Sequence, residues 1–172
     1  EYGESWMRAA SSPIVDASGI RYGITEVNEI GESADIQRIR TGSTVNNDKA
    51  DDIPDPYPDS SIVIEFETTE TRTYYRAHKS DNKFSKWLAR EDTLTDSEGE
   101  FLTKSEAENT LSLPNTPTYV TRVVVPEGYQ IRVGKIKSNF GGSGGSTQIE
   151  VIDDSNIPSD NFKATQELPT DE

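Results

Sequence analysis

The sequence predicts an α+β domain: a small antiparallel, β-rich fold, either a twisted sheet or a split half-barrel, with one or two short helices. Three observations predict it. Short stretches with β-strand alternation or β-branched character recur at "SSIVIEFET", "RTYYRAH", "TYVTRVVV", "YQIRVGKI" and "STQIEV", punctuated by turn residues. Only one segment, "SEGEFLTKSEAENTLSL", carries both start and stop signals of a helix. A chain of 172 residues with 31% hydrophobic content suits a single core.

Taken in order, residues 1–60 hold at most a short helix and a strand, in "SWMRAASSPIVDASGIRYGITEVNEI", before "NNDKADDIPDPYPD", which is turn chemistry throughout. The chain therefore divides into an N-terminal extension and linker over 1–60, whose packing on the core the sequence leaves open, and a domain over 61–172 with an acidic C-terminal tail. Ile62 to Glu67 reads as one strand and Arg72 to His78 as the next. "NKFSKWLARED" reads as a helical turn or an irregular loop, with Phe84 and Trp87 as core anchors. The helix follows, with Thr103 or Ser105 as N-cap and Glu106 and Glu108 in its first turn, where the dipole favours acid. Pro114 and Pro117 forbid its continuation. Strand, Pro-Glu-Gly turn, strand and one last strand at "TQIEVI" complete an order β-β-α-β-β-β.

Composition excludes several functions. With no cysteine and a single histidine, His78, neither a disulfide framework, a thiolate zinc site nor a histidine-rich metal site is expected. His78 itself is expected at the surface. No apolar run reaches the roughly 18 residues of a membrane span and no basic-then-apolar leader is present, so no membrane role is expected. A start at Glu1 without Met suggests a piece of a longer protein. The net charge of −14 is unevenly spread: Lys and Arg against Asp and Glu number 5 to 12 over 1–60, 11 to 13 over 61–150 and 1 to 6 over 151–172. Residues 71–90 invert this, with six bases and one acid, Asp81. Such a stretch suits a small anionic ligand, whereas the overall field would repel long nucleic acid.

The chemistry gathers near "NFGGSGGSTQIEV". In the strand after the glycines, Gln148 and Glu150 share one face and Ile149 and Val151 the other. A backbone without Cβ atoms beside them can approach a flat ring or a phosphate closely. Arg76, inside the strand "YYRAH" with Tyr74 on its own face and Tyr75 on the opposite one, is a planar fork suited to two phosphate oxygens. Phosphate grip, glycine-walled slot and an amide beside an acid are the needs of an enzyme that breaks the bond between nicotinamide and ribose.

The segment "VVVPEGYQIRVGKIKSNFGGSGGSTQIEV" resembles the C-terminal part of the tuberculosis necrotizing toxin family, NAD glycohydrolase domains at the ends of secreted bacterial and fungal proteins. Its signature, an aromatic-Gly-x-x-Gly-Gly-x-x-Gln segment before a strand, is met by Phe140, Gly141, Gly144, Gly145 and Gln148, with Ser146 where the family usually has a third glycine. The resemblance runs from Tyr75 to Val151. It implies an ADP-ribosyltransferase-like fold, Gln148 as the catalytic glutamine and Arg76 as the phosphate-binding arginine. NAD+ would be the substrate, with no cofactor required, held also by Tyr75, Trp87, Phe140, Gly144, Gly145 and Ser146. It further implies a secreted toxin effector domain that depletes NAD+ in the target-cell cytoplasm, and a cognate immunity protein. The family's histidine has no counterpart here.

Gln148-Ile149-Glu150 is similar, too, to the late Gln-x-Glu of Arg-Ser-Glu class mono-ADP-ribosyltransferases, in which Glu150 would hold a ribose hydroxyl and promote transfer to a protein. Plainer alternatives stand beside both. The glycines also read as a hairpin connector, Gln148 and Glu150 as the solvated face of a strand, and Arg76 as a cross-strand partner of Glu65 or Glu67. Together these would make the chain a non-catalytic acidic β-rich binding module.

Overall fold

A computed structural model describes residues 14–15, 21–22, 36–47, 56–59, 61–137, 146–153 and 156–171. Its strands are β1 (Ile14–Val15), β2 (Arg21–Tyr22), β3 (Ile36–Thr41), β4 (Ile62–Glu67), β5 (Arg72–His78), β6 (Trp87–Leu88), β7 (Tyr119–Val125), β8 (Gln130–Lys135), β9 (Thr147–Val151) and β10 (Phe162–Glu167). Three short helices, α1 (Gly42–Asn47), α2 (Glu91–Leu94) and α3 (Lys104–Leu111), join them. The result is a small antiparallel β-rich domain with few helices and open sheets, in keeping with the α+β expectation.

The five-stranded sheet has the order β3-β4-β8-β9-β6 and the three-stranded sheet the order β10-β7-β5, all pairs antiparallel. β1 and β2 form a separate two-stranded ribbon. One residue beyond β6, the two large sheets meet in a single bridge, where Tyr75 and Ala89 exchange backbone hydrogen bonds of 2.8 and 2.7 Å.

Alternation along the strands decides what lies between the sheets. Ile39, Ile62, Ile64, Phe66, Leu88, Ile131, Val133, Ile149 and Val151 face Tyr74, Val123, Val125 and Phe162 in the main core. The outer face of the three-stranded sheet is covered by α2 and α3 through Leu94 and Ala107, packed with Ala77, Ala89, Val120 and Leu168. A third cluster, Val45, Tyr57 and Val63 with Trp87 against it, covers the other face of the five-stranded sheet.

Several expectations are refined. Helix α3 starts at Thr103, which forms a reciprocal capping box with Glu106, and it ends at Ser112 before the prolines. The division at residue 60 falls within a sheet, because β3 pairs with β4 from Thr41 opposite Ile62 to Ile36 opposite Phe66. Within the expected linker 46–60, Asn46 and Tyr57 are buried, and Asn46 Nδ2 donates to the Tyr57 carbonyl at 2.7 Å. The acidic tail contributes a strand, β10, along β7. The stretch after Phe84 is extended, giving β6 before the single turn of α2, and Phe84 is 60% exposed rather than a core anchor.

Candidate active site

A cavity of about 340 Å3 is lined by Arg76, His78, Asn82, Trp87, Ser112 and Gln148, among others. They arrive on several supports. β5 carries Arg76 and His78, β6 carries Trp87, the turn that ends α3 carries Ser112, and β9 carries Gln148. The three-stranded and five-stranded sheets thus each contribute a wall.

Arg76 points to the same side of β5 as Tyr74, toward the interior. Its Nη1 donates to the Trp87 carbonyl and its Nη2 to the Asn82 carbonyl, both at 3.2 Å, while Nε is buried without a hydrogen-bond partner. No carboxylate among the described residues pairs with it, and burial pushes its pKa down to about 10. The group therefore stays cationic at neutral pH. The alternative pairing with Glu65 or Glu67 does not form: Glu65 is held by Arg38, Arg40 and Arg132, and Glu67 accepts from Gln130 Nε2 at 3.0 Å.

Gln148 pairs in register with Gly134 of β8, and its Nε2 is buried without a hydrogen-bond partner. The missing Cβ at Gly134 has a visible use, since one built there would stand 3.0 Å from Cδ1 and Cε1 of Tyr57. The Tyr57 ring lies in that space, and its pKa is raised well above 10, by burial first and then by the charge of Glu150. Ser112 is the one non-glycine residue with positive φ among those described, at 50°, and its Oγ is also buried without a partner. A left-handed serine is strained by an amount on the order of 1 kcal/mol. Each buried unsatisfied polar group costs roughly 1–3 kcal/mol more.

His78 departs from expectation. It is buried, with Nδ1 2.6 Å from the Lys79 carbonyl and Nε2 2.6 Å from Thr121 Oγ1, which in turn meets Thr165 Oγ1 at 2.7 Å. A carbonyl only accepts, so Nδ1 carries the proton and Nε2 accepts from the Thr121 hydroxyl. Burial lowers its pKa; the Lys79 carbonyl opposes that, and the charges of Arg76 and Lys83 add to the lowering.

Glu150 does share a face with Gln148, yet it does not line this cavity. It takes hydrogen bonds from Arg132 Nη1 at 2.9 Å and Tyr57 Oη at 3.2 Å, and Lys86 Nζ stands 3.3 Å away. Arg132 continues the row, donating from Nε to Glu65 Oε2 at 2.7 Å, and Glu65 Oε1 accepts from Arg38 Nε at 2.6 Å. Since Glu150 faces Arg132, Arg132 faces Glu65 and Glu65 faces Arg38 across neighbouring strands, the register itself builds a ladder of alternating charge. Burial alone would raise the Glu65 pKa, but the hydrogen bond and charge of Arg132, followed by those of Arg38, hold it below the usual value.

The remaining expected contacts separate. Tyr75 is on the outer face, edge-on to Phe101 at 5.6 Å and bonded to Glu91 at 3.1 Å, away from the cavity. Ser146 accepts at its carbonyl from Ile136 N at 2.7 Å and does not line the cavity. Phe140, Gly144 and Gly145 lie outside the described residues. Trp87 both lines the cavity and packs against the Tyr57 cluster. Tyr57, Ser112 and Arg132 were not singled out from sequence. Ser112 carries no local signal, because the left-handed position after a helix is ordinarily filled by Gly or Asn.

No protein-family model matches this chain, and neither a curated protein nor a solved structure matches it. Among the described residues, no helix is long and apolar enough to cross a membrane.

Proposed function

We propose that this chain is an NAD+ glycohydrolase domain, with the ADP-ribosyltransferase-like arrangement of two sheets splayed around a nucleotide site. One observation carries the proposal. Three buried polar side-chain atoms without partners, Arg76 Nε, Ser112 Oγ and Gln148 Nε2, all belong to residues lining one cavity. Folded proteins leave few such groups, and a polar ligand that supplies the missing partners accounts for all three at once. The cavity volume falls within the roughly 300–1,000 Å3 of small-molecule sites.

In this reading Arg76 grips a phosphate of NAD+, with two of its donors held by backbone carbonyls so that the fork is set before substrate arrives. Trp87 forms a flat wall for a ring, and Ser112 contributes a further hydroxyl. Gln148 orients the nicotinamide ribose. As the C1′–N bond breaks, its electron pair leaves with nicotinamide, which departs neutral, and the carboxamide oxygen of Gln148 faces the positive charge growing on the ribose. Water adds to C1′ and loses a proton, giving ADP-ribose.

Hydrolysis is preferred to transfer onto a protein because Glu150, the residue a transferase would use, is engaged with Arg132, Tyr57 and Lys86. The wider reading is a secreted toxin effector acting in the target-cell cytoplasm, with a cognate immunity protein in the producer. The test is to incubate purified protein with NAD+ and a cell lysate. Equimolar nicotinamide and free ADP-ribose are expected; labelled protein bands would move the assignment to transfer, and undiminished NAD+ after long incubation would leave a non-catalytic binding module.

A further inference from the structure

The cavity lined by Arg76 and Gln148 carries a second cation, Lys79. Among the described residues that line it, two are cations and none is a carboxylate. Neither Arg76 nor Lys79 joins an ion pair among the described residues, whereas Lys86 and Arg132 are both held by Glu150. In a chain of net charge −14, two such cations at one cavity are a local inversion of the field.

One turn places the two charges side by side. The Lys79 backbone N–H donates to Asn82 Oδ1 at 2.7 Å, and the Asn82 carbonyl accepts from Arg76 Nη2 at 3.2 Å, so Asn82 ties the root of the Lys79 side chain to the guanidinium. The Lys79 carbonyl is held in turn by His78 Nδ1 at 2.6 Å. The two cations differ in depth. Arg76 is half-buried; its fork spends one donor on the Trp87 carbonyl and one on that of Asn82, and Nε is buried without a partner. Lys79 is exposed, a compact charge on a flexible stem at the mouth. A fixed fork inside and an adaptable ammonium outside suit two anionic groups joined in a short chain better than one isolated anion.

We infer that Arg76 and Lys79 form a binding site for two adjacent phosphates, the inner one at Arg76 and the outer one at Lys79. For the identity of the ligand this rests on the NAD+ reading, and it gives that ligand a direction. The nicotinamide ribose lies inward beside Gln148 and Trp87, the pyrophosphate runs outward from Arg76 to Lys79, and the adenosine half points toward solvent.

The first probe is inorganic pyrophosphate, titrated calorimetrically into the full folded chain in metal-free buffer and compared with orthophosphate. One equivalent of pyrophosphate should bind about tenfold more tightly than orthophosphate, and Arg76→Met should abolish both. Lys79→Gln should remove the advantage of pyrophosphate and Lys79→Arg should keep it, with unfolding temperatures unchanged because Lys79 is exposed. In NAD+ turnover, Lys79→Gln should raise KM about tenfold, the sign of a contact equally strong in ground and transition states. NAD+ carrying an etheno bridge on its adenine, enlarged at that end alone, should be consumed as readily as NAD+. Equal affinity for the two anions, or wild-type pyrophosphate binding by Lys79→Gln, would overturn the two-phosphate site, and rejection of the enlarged analogue would overturn its direction. Lys79-dependent pyrophosphate binding beside undiminished NAD+ would keep the site and retire the NAD+ reading; NAD+ turnover without pyrophosphate binding would do the reverse.

Discussion

Arg76 and Gln148 sit on different sheets, on β5 and β9, and line the same cavity. Neither a strand pairing nor an ion pair joins them, and each keeps a buried nitrogen without a partner. The functional prediction follows from that shared deficit.

Replacing Arg76 with Met removes a buried cation that no carboxylate among the described residues neutralises. The unfolding temperature should hold or rise, since desolvating that charge opposes folding. NAD+ turnover should fall about 10²-fold or more, the scale of losing one preorganised charge donor. Calorimetry and an NAD+ consumption assay on the same preparation decide it. A large drop in unfolding temperature would make Arg76 a structural residue instead.

Arg132→Met should have the opposite signature. It strips the shared cation from Glu65 and Glu150, both buried. Glu65 keeps Arg38 and Arg40 and Glu150 keeps Lys86, so the loss should be part of the roughly 3–5 kcal/mol of a fully uncompensated buried charge, and the urea midpoint should move downward. A change below about 1 kcal/mol would mean the ladder is as weak as a surface pair.

Gly134→Ala drives a methyl group toward the Tyr57 ring, to 3.0 Å from two of its carbons and 3.1 Å from Val63 Cγ2. The cost should be about 1–3 kcal/mol, and much smaller in a Tyr57→Leu background where the ring is gone. Equal costs in both backgrounds would show that the backbone, and not the ring, objects.

His78 makes stability depend on pH with a definite sign. Its folded pKa lies below the ordinary 6.5, so the unfolded chain binds the proton more readily. The contribution is complete above pH 6.5 and is lost as pH falls from there through the folded pKa. Unfolding temperatures between pH 7.5 and 5.5 should therefore decline more steeply for the native chain than for His78→Gln. Parallel curves would contradict the buried neutral imidazole.

The five strands that were legible in the sequence, β4, β5, β7, β8 and β9, are those rich in β-branched or aromatic residues, though β5 turns Arg76 and His78 to the same side as Tyr74. β10, "FKATQE", exposes five of its six residues and reads as tail because an edge strand needs one anchor only. β3, "IQRIRT", hides its logic in Arg38 and Arg40, whose burying partner Glu65 is 27 and 25 residues away. The site divides in the same manner. Alternation put Gln148 and Glu150 on one face, but it carries no information on which of them a distant arginine claims. Tyr57 was invisible for the reason that its role depends on the gap at Gly134, a long-range fact.

The seam between Tyr75 and Ala89 has a geometric corollary. Arg76 hangs from one side of it and Trp87 from the other, one and two residues from the bridged pair respectively. The aperture between them is accordingly fixed by strand register at one point and by the hydrogen bond from Arg76 Nη1 to the Trp87 carbonyl. A single residue inserted between Trp87 and Ala89 would reverse which way the side chains on one side of the insertion project and so undo the alignment of Trp87 with Arg76.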